Sequence, residues 1–170
     1  MGCGKSTMGR AVSELTGMPF IDLDNYVERR FHLSVKEIFA QRGEEGFRDV
    51  ERRMLQEVAD FEDVIVACGG GTPCFFDNME YMNSRGTTVF LNTPIPRLHS
   101  RLMRGRNKRP LIADKNDEEL LQFITTVLDA RMEHYKKAQI EFSSERLENR
   151  SEIENTAREF AELLSLPIKK

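Results

Sequence analysis

The chain has 170 residues, with 25 Lys plus Arg against 28 Asp plus Glu, a formal net charge of −3. That length suits one domain able to bury a core unaided, and a 39% hydrophobic, 31% charged balance excludes wholesale disorder. The near-neutral charge argues against a general nucleic-acid binder, and no apolar run approaches the roughly 18 residues of a membrane span.

The chain opens on Met-Gly-Cys-Gly-Lys-Ser-Thr. Gly4-Lys5-Ser6 is the end of the G-x-x-x-x-G-K-[ST] phosphate loop, and Ser6–Leu15 reads as the helix that must follow it, closed by Gly17. In such a loop the glycines let successive N–H groups point at phosphate oxygens, and the helix N-terminus adds positive potential. Lys5 brings a point charge to the β- and γ-phosphates, and the Ser6 hydroxyl can bind Mg²⁺. The motif's first Gly and its feeding strand would lie upstream of Met1. In phosphate-loop folds that strand lies inside the sheet, so the sequence is expected to be a clipped form of a longer functional chain. Two interior strands should then present unpaired edges.

Pro19–Leu23 reads as a strand and Asn25–Phe31 as a helix. Alternation along the strand puts Asp22 and Asp24 on one side, at the end that faces a ligand in parallel sheets. One carboxylate could tune the metal shell and the other accept a hydroxyl proton. A turn and N-cap pair would also account for them.

Ser34–Gln41 is a helix opened by a capping box of Ser34 and Glu37. After Gly43 a longer helix runs to about Asp60, burying Phe47, Val50, Met54, Val58 and Phe61 at spacings of three and four. On it, Arg48 has Glu44 and Glu51 within helical reach, which a solvated ion-pair face would explain. Val64–Cys68 is a continuous apolar run, as in a strand covered on both faces. Gly69–Gly71 ends it with N–H groups that no side chain obstructs.

Asp77–Ser84 reads as a helix, Thr87–Leu91 as a strand and Pro94–Met103 as a helix. Arg104–Asn116 is a basic loop with Gly and Pro. Within it, Arg109 beside Pro110 suits a lid arginine that closes over the γ-phosphate, while Arg104, Arg106 and Lys108 suit a solvated loop. Asp117–Lys137 is a long helix with Leu120, Ile124, Val127, Leu128 and Tyr135 on one face. Arg131 continues that stripe and therefore needs an anionic partner, either an internal acid or a substrate. Gln139–Phe142 is a last strand and Glu152–Leu164 a last helix.

Cys3, Cys68 and Cys74 form no CxxC pair and no ligand cluster with the three histidines, and no secretory signal is visible. Both points fit a reducing, cytoplasmic compartment with thiols packed as small hydrophobes. Alternating strands and helices indicate an α/β fold with a parallel sheet. These residues argue for phosphoryl transfer from a nucleoside triphosphate to a small acceptor carrying a hydroxyl and a negative group. They do not name it.

The chain resembles the shikimate kinase family from Gly2 to about Leu164. The pieces that carry the likeness are GCGKST at 2–7, PFIDLD, SVKEIFAQRGEEGFRDVE at 34–51, Gly69–Gly71, RPLI at 109–112 and LDARMEHYKKA at 128–138. The resemblance implies a single phosphate-loop kinase domain over 1–170, a three-layer sandwich with a parallel sheet in the order 2-3-1-4-5. Its first strand is missing from this chain. A substrate-binding helical region would span about 25–60 and a lid about 104–116.

It further implies ATP-dependent phosphorylation of the shikimate 3-hydroxyl, in the chorismate pathway to aromatic amino acids, by a cytoplasmic monomer that needs Mg²⁺. Gly2, Cys3, Gly4, Lys5, Ser6 and Thr7 would cradle the ATP phosphates, with Ser6 and Asp22 serving the metal. Asp24 would bind a shikimate hydroxyl and act as, or orient, the base for the 3-hydroxyl. Arg48, Gly70 and Arg131 would hold shikimate, with Gly69 and Gly71 shaping the wall and Glu51 steadying Arg48. Arg109 would be the lid arginine and Arg104 the residue at adenine. Another small-molecule kinase, for gluconate or a nucleoside monophosphate, and an inactive nucleotide-binding chain remain as alternatives.

Overall fold

The computed structural model describes residues 2–105 and 112–169. In chain order the elements are α1 (Lys5–Thr16), β1 (Phe20–Asp22), α2 (Leu23–Phe31), α3 (Val35–Val58), β2 (Ile65–Ala67), α4 (Asn78–Arg85), β3 (Val89–Asn92), α5 (Ile95–Arg104), α6 (Asp117–Tyr135), β4 (Ile140–Ser143) and α7 (Arg150–Leu163). A short 3₁₀ turn, Thr72–Cys74, separates β2 from α4.

Local chemistry sets the helix ends. Gly17 takes a left-handed conformation (φ 85°) and its N–H returns to Ser13 O at 2.8 Å, closing α1 as a glycine C-cap does. Capping boxes open α3 at Ser34/Glu37 and α6 at Asn116/Glu119. Gly43 kinks α3 with φ 67° and ψ −174°, so the two helices expected on either side of it run on as one bent element.

Each strand pairing is parallel. β1 pairs with β2 (Phe20 opposite Ile65) and β3 with β4 (Val89 opposite Ile140), yet the two pairs form separate sheets. The order is thus 1-2, a gap, then 3-4, which is the implied five-strand order without its central member. A cleft of about 1650 Å³ lies between, with Ile65–Cys68 on one wall and Val89–Asn92 on the other. The same gap explains why β2 is not covered as its apolar run suggested: Ile65 and Val66 are only half-buried.

The buried core falls into three clusters around this gap. One joins α2 and α3 (Leu23, Val27, Ile38, Phe47, Val50, Met54, Leu55, Val58). Another joins α5 to α6 (Leu98, Leu102, Ile112, Leu120, Ile124), and a third joins α1 to α7 (Met8, Val12, Ala157). Phe61 departs from its expected place. It lies three residues past the end of α3 and is 45% exposed, because the helical period that would have buried it stops at Val58. No helix among the described residues is long and apolar enough to cross a membrane.

Candidate active site

The loop before α1 uses two left-handed glycines, Gly2 (φ 78°) and Gly4 (φ 88°). These turns aim the chain into the helix, and α1 starts at Lys5 with no side chain capping its N-terminus. A helix begun this way offers its first N–H groups, and its dipole, to an anion. Positive φ strains any side chain at either glycine, and each is closely faced: a Cβ on Gly4 would stand 2.5 Å from Leu147 Cδ1, and one on Gly2 would stand 3.1 Å from Leu102 Cγ.

Ser6 Oγ donates to Asp22 Oδ2 at 2.7 Å, and Lys5 Nζ lies 3.5 Å from the same oxygen and 4.0 Å from Asp24 Oδ2. Both acids therefore face the loop, though not by strand alternation. β1 ends at Asp22, which is the N-cap of α2, and Asp24 sits in the first turn of that helix. Helical geometry, not the period of two, turns Asp24 back toward Lys5.

The two carboxylates are tuned in opposite directions. Burial works to raise Asp22, but the Ser6 hydroxyl, the Lys5 charge and the Asn25 backbone outweigh it and hold Asp22 below the ordinary value. Asp24 is raised, first by burial and then by the charges of Asp22, Glu51 and Glu28, with Lys5 opposing. An acid pushed up beside a phosphate loop is better suited to accept a proton near neutrality.

Hard oxygens at Ser6 and Asp22 fit Mg²⁺, which takes one or two protein oxygens and completes its shell with water and phosphate. Among the described residues no group of three or more His, Cys, Asp or Glu could hold a metal alone.

Arg48, on the inner face of α3, is not on a solvated face. Its side chain is 11% exposed and its guanidinium is 2.7 Å from Glu51 Oε2, a carboxylate almost fully buried; Glu44 lies 3.6 Å away at the surface. The kink at Gly43 and the packing of Phe47 turn this part of α3 inward. The guanidinium stacks on Phe75 (4.1 Å to the ring centroid), and its buried Nε has no hydrogen-bond partner among the described residues. Gly71 packs against it so closely that a Cβ there would lie 2.7 Å from a guanidinium nitrogen. Gly69 is likewise surrounded by Thr72, Asp24 and Glu51.

Arg131 and Arg48 both act on Cys74: burial raises that thiol, and the two guanidinium charges oppose the rise, Arg131 more strongly. Arg48 and Arg131, on two distant helices, are thus both within electrostatic reach of Cys74. The Arg131 charge also acts on Tyr135, opposing the rise that burial gives that phenol, and the Tyr135 hydroxyl donates to Gly70 O at 2.7 Å. Lys5, Asp24, Gly69, Gly70 and Tyr135 line the central cleft; Arg48 and Arg131 are absent from its wall and join it through the glycine run and Tyr135.

Arg104 is exposed and pairs with Glu148, as does Arg101, which also holds Ser144 O (3.0 Å) and Glu145 O (2.7 Å). Arg109, Arg106 and Lys108 lie outside the described residues, as does all of 106–111 within the expected lid. Cys3, Cys68 and Cys74 are free thiols, and burial pushes Cys68 up to about 12, which leaves it unreactive.

Sequence reasoning missed Phe75, Thr72, Asn78 and the Tyr135–Gly70 clasp. Only the proximity of Thr72 and Phe75 to the glycine run could have pointed to them.

A family model described as shikimate kinase matches residues 1–164. A shikimate kinase of Bacteroides fragilis is 49% identical over 168 residues, covering 99% of this chain and 94% of the relative. A crystal structure of the Bacteroides thetaiotaomicron shikimate kinase superposes with a TM-score of 0.94 at 49% identity, over 98% of this chain and 94% of the other. The Acinetobacter baumannii shikimate kinase, solved with shikimate, gives 0.80 at 32% identity, over 97% and 88%.

Proposed function

The chain belongs to the shikimate kinase family, and from that premise we propose that it transfers the γ-phosphoryl group of ATP to the 3-hydroxyl of shikimate. It is a phosphotransferase acting on a shikimate hydroxyl, and the observation that carries the assignment of its parts is Lys5. Its ammonium stands at the head of α1, 3.5 Å from Asp22 and 4.0 Å from Asp24, where a phosphate tail and an acceptor hydroxyl would meet.

In this reading the N–H groups of Gly2–Thr7 and the α1 dipole hold the phosphates. Lys5 stays on the transferring group, where charge spreads over its oxygens in the transition state. Ser6 and Asp22 would hold Mg²⁺, which supplies further charge neutralisation to the phosphates. Asp24 orients the acceptor hydroxyl and takes its proton. Arg48 and Arg131 grip the acceptor carboxylate, and Glu51 keeps Arg48 in place. Gly69–Gly71 let the ring approach the backbone, and fixing both reactants at once supplies much of the rate. The helical region of about 25–60 supplies the acceptor side of a single domain. Arg104, at the cleft mouth, is the candidate for adenine. The enzyme is taken to act as a cytoplasmic monomer, which sedimentation checks.

The test is ADP release in a coupled assay with shikimate, gluconate and nucleoside monophosphates as acceptors. Release that depends on shikimate alone supports the proposal. Turnover on another acceptor, or ATP-dependent thermal stabilisation with no acceptor-dependent release, overturns it.

A further inference from the structure

Thr72 follows the three glycines directly and is fully buried, although it is polar. Its hydroxyl donates to Glu51 Oε1 at 2.7 Å, and its N–H donates to Gly69 O at 3.1 Å. Its own carbonyl accepts from Asn78 Nδ2 at 2.9 Å, and Asn78 is also buried, at 1% exposure. The other oxygen of Glu51, Oε2, accepts from Arg48 at 2.7 Å. A continuous buried chain thus runs from α4 through Asn78, Thr72 and Glu51 to the Arg48 guanidinium.

That chain decides where Arg48 faces. Its Nε has no partner among the described residues, so hydrogen bonding fixes the guanidinium on its Glu51 edge while Phe75 and Gly71 confine its faces. Glu51 in turn has one donor on each oxygen among the described residues. Without the Thr72 hydroxyl, a buried carboxylate oxygen loses its donor, and the carboxylate is free to turn away from Arg48.

We propose that Thr72, itself held by Asn78, is a positioning residue of the acceptor site that fixes the Glu51 carboxylate and through it the direction of the Arg48 guanidinium. The proposal rests on the reading of Arg48 as an acceptor-binding residue. It extends the machinery beyond the residues that touch the acceptor.

The experiment compares steady-state kinetics of Thr72→Val, Thr72→Ser, Arg48→Ala and the Thr72→Val/Arg48→Ala double variant. Loss of a hydrogen bond to a charged group should raise the shikimate KM of Thr72→Val about tenfold. Its kcat and ATP KM should stay within about twofold, and Thr72→Ser should restore the shikimate KM. Once Arg48 is gone, Thr72→Val should add nothing further. If the valine variant does not fold, Thr72→Ala removes the hydroxyl without an added methyl and carries the same expectation. An unchanged shikimate KM in Thr72→Val or Thr72→Ala, or the same rise with and without Arg48, overturns the relay while leaving Arg48 assigned. A shikimate KM untouched by Arg48→Ala would instead sink the acceptor reading itself.

Discussion

The hydroxyl of Ser6 and the carboxylate of Asp22 meet at 2.7 Å, tying the first turn of α1 to the end of β1. Lys5 reaches the same carboxylate oxygen, so the phosphate loop and the acceptor side share one charged hinge point. Replacing Lys5 should separate the two halves functionally. Lys5→Met is expected to lower kcat by about two to three orders of magnitude, the usual scale for losing a preorganised charge at a transition state. Shikimate binding, followed by calorimetry without nucleotide, should survive. Loss of shikimate affinity equal to the loss of turnover would show that Lys5 serves the acceptor instead.

Asp24 should show function set against stability. Its folded-state pKa is raised above the ordinary 3.8, chiefly by burial, so its protonated form favours folding and that contribution is lost as pH rises through the folded value. At neutral pH the ionised group therefore opposes the fold. Asp24→Asn should leave the melting temperature at pH 7 equal or higher while cutting kcat at least about a hundredfold, with ATP affinity little changed. The acid limb of the kcat profile should lie above 3.8 and vanish in the variant. A destabilised Asn variant with full turnover would contradict both assignments.

Asp22 carries the opposite sign. Its pKa is held below 3.8 despite burial, so the stability it contributes is present above that value and lost as pH falls through the lower folded one. Asp22→Asn should melt lower than the parent at pH 7, and the difference should shrink as the pH is taken below 3.8. Thermal melts at a series of pH values check this, and a constant difference would point to packing in place of charge.

Gly71 tests the acceptor wall. Its φ of −86° is open to any residue, so alanine there brings no backbone strain. The nearest atoms to the new Cβ all belong to Arg48, whose guanidinium would lie 2.7–3.1 Å from it. An arginine free to swing would yield cheaply, but this one is held by Glu51 and Phe75. Gly71→Ala should raise the shikimate KM about tenfold with the ATP KM unchanged, the size expected for a displaced charge-assisted contact.

Much of this was legible in the sequence because the signals were local. Gly17, the Ser34/Glu37 box and the Gly43 break act within a few residues, and all three appear where the residue types put them. The Phe47, Val50, Met54, Val58 stripe buried as its period demands. What failed was the reading of segments whose form depends on neighbours. Strand alternation is carried past Leu23 to Asp24 in the sequence reading because alternation cannot show where β1 stops and α2 begins. Helical spacing around Arg48 suits a solvated ion-pair face, and only the family resemblance assigns it to the acceptor, because a helix face gives no hint of Phe75 and Gly71 arriving from another part of the chain. Thr72 and Asn78 are ordinary polar residues until the fold buries them against Glu51.

The gap between β2 and β3 gives the last prediction. Two strands present open edges to a cleft whose walls are Ile65, Val66, Ala67, Val89, Phe90 and Leu91, an arrangement that wastes both main-chain hydrogen bonds and apolar burial. An apolar strand of about five residues, added ahead of Gly2 so that it runs into the phosphate loop, should enter that cleft. Each Val, Ile or Leu it buries stabilises by about 1.5–3 kcal/mol. Each ordered residue costs about 1–2 kcal/mol of backbone entropy, and each new ladder hydrogen bond returns about 1 kcal/mol. The balance favours the filled cleft by a few kcal/mol, and each kcal/mol appears as about 2–4 °C in a melt of a chain this size. Because the strand leads directly to Gly2 and Gly4, it should also fix the loop's N–H groups and tighten ATP binding. Equal melting temperatures and equal ATP affinity for the chain with and without the added strand would mean that the two sheets are already in their stable arrangement.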